Sequence, residues 1–450
     1  MKLEVIDDYT FRIKFAEPYG GFLDQLAILF WKGYTDLIKP KHYLKNFHVR
    51  YTPLEKLEPL IKEEGLAKGE WWTLFNKKDI LNWELTHSEA VGFPTLNPWM
   101  VVKATPTVVT YERNPYYFKV DTEGNQLPYI DKIRSQVVSD VEMSTMKVLA
   151  GEVDFLREDA TLNNLSLYKQ NEEEGGYRVV LLKQHVAPTC VRLNLTHKDP
   201  VWRKVVRDVR FRKALNMAIN REEIIDAVYF GFGELPKSVP SAYDPAKANQ
   251  LLDEMGLDKR DAEGYRLGPD GKTFVIPFEI AKQAPDIVPV TELVREHWKK
   301  VGIKATIKTI DPGLWATRAA ANELKATVMW NHAPLWWGWG GPFGQGDIDR
   351  FDWPLWWDWY DSGGRIGEEP PADVKKFLDL RSASVVVSPE RSREVVDEFF
   401  RLMHERVFFI QLVTEVKYPL IVSKKLGNVP HAGFAITANF AGEQLFFKER

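Results

Sequence analysis

The sequence predicts an α/β fold spread over more than one domain. Strand-like alternation and helical periodicity take turns along the chain. One stretch, Phe274 to Ile310, reads strand, helix, strand and should form a right-handed parallel βαβ unit. The chain's 450 residues exceed one ordinary core, so two or three domains of roughly 150 residues each are expected.

The elements follow in order. Alternation over Tyr9 to Phe15 predicts a strand, and after Pro18 and Gly20-Gly21 the apolar run Phe22 to Trp31 predicts a helix. Glu55 to Asn82 is charged and reads as irregular. Strand pieces are expected at Gly92–Val102, Val108–Tyr111 and Ile133–Val138, with a turn over Asp121–Asn125. Asp140 should cap a helix that stops at Gly151, before a strand at Val153–Leu156. Asp208 should cap a helix with Phe211, Ala214, Leu215, Ala218 and Ile219 on one face. Asn220 with Glu223 forms a capping-box pattern that opens the next helix, which runs to Phe230. Asp244-Pro245 starts a helix that Gly256 ends. In the βαβ unit, the strand Phe274–Ile280, the helix Pro289–Val301 closed by Gly302 and the strand Ile303–Ile310 succeed one another. Ser388-Pro389 opens a helix carrying Val395, Val396, Phe399, Phe400 and Met403, and a strand Val407–Val413 follows. No internal repeat and no low-complexity linker marks a boundary.

Composition excludes several function classes. Charged residues make up 27% and the net charge is -3, with both signs interspersed, so nucleic acid is not an expected partner. Cys190 is the only cysteine, which removes intrachain disulfides and multi-cysteine metal sites. No run approaches the roughly 18 apolar residues of a membrane span, and Met1 to Asp8 has no apolar signal region.

Eight of the 16 tryptophans lie between Trp330 and Trp359. Large amphipathic rings among Gly, Pro and Asn suit a concave surface gripping flat, partly apolar ligands; a loop packed under a neighbouring domain explains the same composition. Sugar rings present C–H faces to indoles and hydroxyls to nearby polar groups. Trp336, Trp337 and Trp339, with Asn331, His332 and Gln345, therefore form a candidate carbohydrate site, and Trp330 joins them as a cleft residue. Trp356, Trp357 and Trp359 are expected to pack between helices instead.

Catalytic and metal signatures fail. Gly271-Lys272-Thr273 imitates the end of a phosphate loop, but Arg266 stands where its first glycine belongs, and Pro269-Asp270-Gly271 reads as a hairpin turn. Gly-x-Ser-x-Gly and His-Glu-x-x-His are absent. Asp347, Asp349 and Asp352 imitate a calcium loop, with Phe351 and Asp352 at the wrong positions, so a solvated acidic loop is expected. Neither a catalytic residue, a metal ligand nor a cofactor is assigned. A glycan-active hydrolase remains as a rival, resting on the Trp-lined cleft alone.

Four segments together resemble one family. They are Asp208-Val-Arg-Phe-Arg-Lys-Ala-Leu-Asn-Met-Ala-Ile-Asn-Arg-Glu222, Tyr243-Asp-Pro-Ala-Lys-Ala-Asn-Gln-Leu-Leu-Asp-Glu-Met-Gly256, Glu112-Arg-Asn-Pro-Tyr-Tyr117 and Leu149-Ala-Gly-Glu-Val-Asp154. In this order they resemble extracellular solute-binding protein family 5, the binding components of ATP-driven importers of peptides, oligosaccharides and nickel. Tyr360–Pro371 is similar to a long-chain branch that includes oligosaccharide importers.

The resemblance implies a two-lobed periplasmic-binding-protein-like fold of type II, the peptide-binding class, with hinge crossing strands. The lobes would be residues 1–189, the second lobe 190–412, and a return to the first over 413–450. It implies a monomer that works with ABC permease subunits, periplasmic or extracellular and membrane-associated. The chain is expected to start inside the first lobe, as an N-terminally truncated member. Peptide-binding relatives carry an aspartate three positions after the tryptophan matching Trp330; here that position is Ala333. A charged α-amine would lose its partner there, so an oligosaccharide is expected over a peptide. Phe93–Trp99 matches the family's loop before a cleft-facing strand, which adds Asn97 and Trp99. Asn194, on the crossing strand Cys190–Leu195, either reaches the ligand or satisfies hinge backbone groups.

Overall fold

The computed structural model describes residues 1–20, 22, 37–81, 84–85, 87–157, 159–183, 186–281, 285–332, 350–386, 389–433 and 442–448. The expected helix Phe22–Trp31 and the stretch holding Trp336, Trp337, Trp339 and Gln345 lie outside them. The chain divides into two compact units. The larger holds Met1–Leu23 and Lys183–Tyr418, the smaller Asp24–Leu182 and Pro419–Arg450.

In chain order the strands are β1 Lys2–Val5, β2 Phe11–Lys14, β3 Trp99–Ala104, β4 Val108–Arg113, β5 Lys132–Gln136, β6 Phe155–Leu156, β7 Tyr177–Lys183 and β8 Val186–Leu193. They continue with β9 Val275–Ala281, β10 Lys304–Ile310, β11 Ala326–His332, β12 Ile410–Gln411, β13 Lys417–Ser423, β14 Leu426–Gly427 and β15 Phe446–Phe447.

The larger unit is built on a mixed sheet of order β10-β9-β11-β8-β12. The βαβ reading holds: β9 and β10 run parallel in register from Val275↔Lys304 to Ala281↔Ile310, joined by the Ile287–Lys300 helix. That helix buries Ile287, Val290, Val294 and Trp298, with Trp298 stacked on Phe278 of β9 at 5.6 Å. β11 runs parallel to β9 and antiparallel to β8. The Asp208 cap, the Asn220 cap and the Asp244 cap all form, each side chain accepting a backbone N–H of its helix's first turn. Phe211, Ala214, Leu215, Ala218 and Ile219 are buried as their spacing requires. Gly268 N–H donates to the Lys272 carbonyl at 2.7 Å, which makes the Pro269–Gly271 segment a hairpin turn.

The smaller unit carries the antiparallel sheet β3-β4-β5 and the sheet β6-β13-β7. Glu55 to Asn82 departs from expectation: it holds helices at Leu54–Glu63 and Trp71–Lys78. Leu57 and Ile61 recur at helical spacing and are fully buried, but they are diluted by five charged residues and Pro59 in a ten-residue helix.

Met1–Leu23 groups with the larger unit, and among the described residues the chain passes between units at Leu182–Lys183 and Tyr418–Pro419, where the sequence reading drew its boundaries at 189/190 and 412/413. The cause is pairing: β8 already joins β11 from Val186, and Thr414 and Lys417 bond backbone groups of Glu234 and Phe232.

Candidate functional site

Open α/β sheets bind ligands beyond the carboxyl ends of their strands. In the larger unit β9, β10 and β11 all point one way, so Ala281, Ile310 and Asn331-His332 come to one edge of the sheet. Antiparallel β8 starts there, with Val186 opposite His332. Trp330, Asn331 and His332 thus sit at the carboxyl end of a central strand, and the segment containing Trp336, Trp337 and Trp339 leaves from that point. The start of the strand is locked into the sheet: Ala326 and Val328 are buried, and Thr327 bridges its neighbours. Its hydroxyl donates to the Glu279 carbonyl at 2.8 Å and accepts the Trp315 indole N–H at 3.1 Å.

The same edge carries groups that the sequence reading missed. Asp286 lies between β9 and its helix, and its Oδ2 accepts the Tyr229 hydroxyl at 2.9 Å and the Tyr418 hydroxyl at 3.1 Å. Tyr229 lies 3.4 Å from the Thr189 hydroxyl of β8. Burial pushes the Asp286 carboxyl up from its ordinary value, against the opposing pull of these hydrogen bonds. Burial, followed by the nearby Asp286 charge, pushes both tyrosines well up. Asp311 caps the Pro312–Ala320 helix by accepting Gly313 and Leu314 N–H groups, which presents Trp315 stacked on Phe351 at 5.9 Å. Position alone, between a strand's carboxyl end and the next helix, could have flagged Asp286 and Asp311.

Beyond the Trp-rich segment the chain is re-anchored firmly. Asp352 forms an ion pair with Arg192 of β8, both side chains being buried, and its carbonyl accepts the Leu195 N–H at 2.7 Å. The expected solvated acidic loop is therefore corrected at Asp352: it is 1% exposed because Arg192 compensates its charge. Trp356, Trp357 and Trp359 pack as expected. Arg207, Arg381 and Lys375 lie over them at 4.7, 4.5 and 4.7 Å, so these rings already have cationic neighbours.

Asn194 is bound into the scaffold. Its amide donates to Asn322 Oδ1 at 2.7 Å and to the Leu324 carbonyl at 2.9 Å, and its Oδ1 accepts from Thr196, so both amide hydrogens are spent. In the smaller unit Trp99 is buried, with its indole N–H on the Ile130 carbonyl at 2.9 Å. Asn97 lines a cavity of about 760 Å³ walled by Ile80, Phe93, Leu96 and Met100. The structure thus brings Asn331 and His332 to one sheet edge with Asp286, and places Asn97 and Trp99 in the other unit. Among the described residues no cluster of three or more His, Cys, Asp or Glu side chains could hold a metal.

The sequence profile of bacterial extracellular solute-binding proteins, family 5 (middle region) matches residues 1–347. The chain is 24% identical over its whole length to a periplasmic alpha-galactoside-binding protein of Rhizobium meliloti, covering 64% of that protein. It is 27% identical to a di/tripeptide-binding protein of Pseudomonas aeruginosa over 53% of this chain and 41% of that one. The chain therefore spans less than two thirds of these curated relatives. Among solved structures it superposes on the oligopeptide-binding protein OppA with TM-score 0.62 and 32% identity, covering 100% of this chain and 75% of that one. On the periplasmic binding protein MelB of Agrobacterium fabrum, in complex with stachyose, the TM-score is 0.70 at 18% identity, over 95% of this chain and 64% of that one. A profile match over most of the chain and a whole-length likeness to OppA agree with the two-lobed α/β fold, and the chain belongs to family 5 of the bacterial extracellular solute-binding proteins.

Proposed function

We propose that this chain is the ligand-capturing component of an ATP-driven importer and takes an oligosaccharide, which it passes intact to a membrane permease. The observation that carries this reading is the position of Trp330, Asn331 and His332 at the carboxyl end of β11, where a run of tryptophans begins. The whole-length likeness to an alpha-galactoside-binding protein supports a sugar guest. So does Ala333 in the sequence, at the position where the resemblance implies an aspartate in peptide-binding relatives. Trp330, Trp336, Trp337 and Trp339 stack on sugar faces, and Asn331 and His332 bond hydroxyls. Asn194 and Trp99 are left out because their donors are already used. Capture by a two-lobed fold is a population shift: a guest that touches both lobes only when they are closed stabilises the closed form. The protein acts as a monomer outside the cytoplasmic membrane, with no catalytic step. No helix among the described residues is long and apolar enough to cross a membrane.

A peptide guest is the second reading, favoured by the 32% identity to OppA. Isothermal titration calorimetry with stachyose and with a pentapeptide decides between them. Trp337→Ala should weaken stachyose binding about tenfold if stacking supplies about 1.4 kcal/mol. Unchanged affinity with a lowered melting temperature would assign that ring to the core. Sustained release of shorter sugars at catalytic protein concentration would establish a hydrolase instead.

A further inference from the structure

Two of the three passages of chain between the units, at Leu182–Lys183 and Tyr418–Pro419, are tethered on the larger unit's side. Lys183, the first residue after the outward passage, pairs with Glu415, three residues before the return passage begins. Glu234 and Thr414 exchange two backbone hydrogen bonds of 2.8 and 2.9 Å, and the Lys417 N–H donates to the Phe232 carbonyl at 3.0 Å. The loop between them is packed so closely that a Cβ on Gly233 would stand 2.6 Å from Val413. Tyr418 is the last residue of the larger unit, and its hydroxyl is held by Asp286.

Asp286 is itself held rigidly. It stands immediately before the Ile287–Lys300 helix, which the core grips through Ile287, Val290, Val294 and Trp298. The second hydroxyl on the same oxygen comes from Tyr229, which is 1% exposed at the end of the Arg221–Tyr229 helix. Three separate elements of the larger unit therefore meet at one oxygen atom, and one of them is the strand that leaves. An asparagine's neutral amide oxygen would hold the two hydroxyls more weakly. A carboxylate makes the stronger bonds, which is what a fixed exit direction requires. Beyond Tyr418 the strand continues as the middle member of β6-β13-β7, so its direction is carried straight into a hydrogen-bonded sheet.

We infer that Asp286 is the positioning carboxylate of the hinge: acting through Tyr418, it sets the direction in which the chain leaves the larger unit and thereby the resting balance between open and closed forms. The inference rests on the two-lobed capture mechanism proposed above. The test uses the full 450-residue chain with spin labels at Lys299→Cys in the larger unit and Glu174→Cys in the smaller; Cys190 is 0% exposed and should stay unlabelled. Double electron–electron resonance is recorded first without ligand. Tyr418→Phe and Asp286→Asn should each broaden or shift the distance distribution, whereas Asp311→Ala, at the same sheet edge but away from the passages, should leave it unchanged. A Tyr418→Phe distribution that coincides with the parent's overturns the inference, and this variant alone decides if Asp286→Asn fails to fold. Stachyose is then added to the parent. No response to it, together with altered ligand-free distributions in the variants, would sink the proposed ligand and leave the hinge assignment standing.

Discussion

Arg192 and Asp352 show how much a single residue pair can hold. Both are essentially inaccessible, and Arg192 also lies over the Phe409 ring at 5.3 Å. Removing one partner of a buried pair leaves the other charged and unpaired, so Asp352→Asn should cost about 3–5 kcal/mol in urea unfolding. The double change Arg192→Met with Asp352→Leu should recover most of that loss, because well-packed apolar groups do not need compensation. Glu368 is a milder case. It accepts from Arg207 at 2.8 Å, pairs with Arg203 at 2.9 Å and receives the Trp356 indole N–H at 3.3 Å. Burial works to raise its carboxyl, but the hydrogen bond and charge of Arg207, with Arg203, outweigh it, so the folded-state pKa lies below 4.5. A depressed folded value means the stabilisation is present above the unfolded pKa and is lost as pH falls through the folded one. Glu368→Gln should therefore cost at most about 1 kcal/mol at pH 7, since the pair is partly exposed. Urea titrations of parent and variant should converge in acid well below that window.

Local chemistry decides most of the elements. Caps at Asp199, Asp208, Asp244 and Asp311 each meet backbone N–H groups two or three residues on, and three of the four helices have proline in the first turn. Asp311→Ala should destabilise the chain by about 1 kcal/mol and move the Trp315 fluorescence, because the cap sets that helix's start beside β11. A short motif also recurs that the search for repeats missed. Asp121-Thr-Glu-Gly-Asn125 and Asp261-Ala-Glu-Gly-Tyr265 form the same turn, with Asp Oδ1 accepting N–H groups two and four residues on and the glycine at φ 84° and 86°. The recurrence lies in turn chemistry and spans only a few residues, too short to register as a domain-level period. The Leu54–Glu63 helix escaped for the opposite reason: its apolar stripe is right, but charges and Pro59 hide it.

At the scale of the whole molecule the chain divides into two units, and the proposed ligand capture is tested on both together. A ligand that binds only the native state stabilises it by about 2.7 kcal/mol at a hundredfold excess over its dissociation constant. Stachyose should therefore raise the melting temperature in a concentration-dependent way. A pentapeptide that does so in its place, with stachyose inert, would transfer the assignment to the peptide reading. The family and the two-lobed α/β plan were legible from four short segments and the βαβ unit. The candidate site was legible only in part. Composition singled out Trp330, Asn331 and His332 as candidates, while nothing in the sequence pointed to the meeting of Asp286, Tyr229 and Tyr418.

Periodicity, caps and turns act between residues a few positions apart, so the order of the amino acids determined the capped helices at Asp208, Asn220 and Asp244 and the parallel β9–β10 pair. Tertiary structure alone decided which charges are buried and what they meet. Arg192 finds Asp352 160 residues away, and Asp286 gathers hydroxyls from 57 and 132 residues away. Such meetings depend on how sheets and helices close around one another, and desolvation gives them their strength only once that closure has occurred.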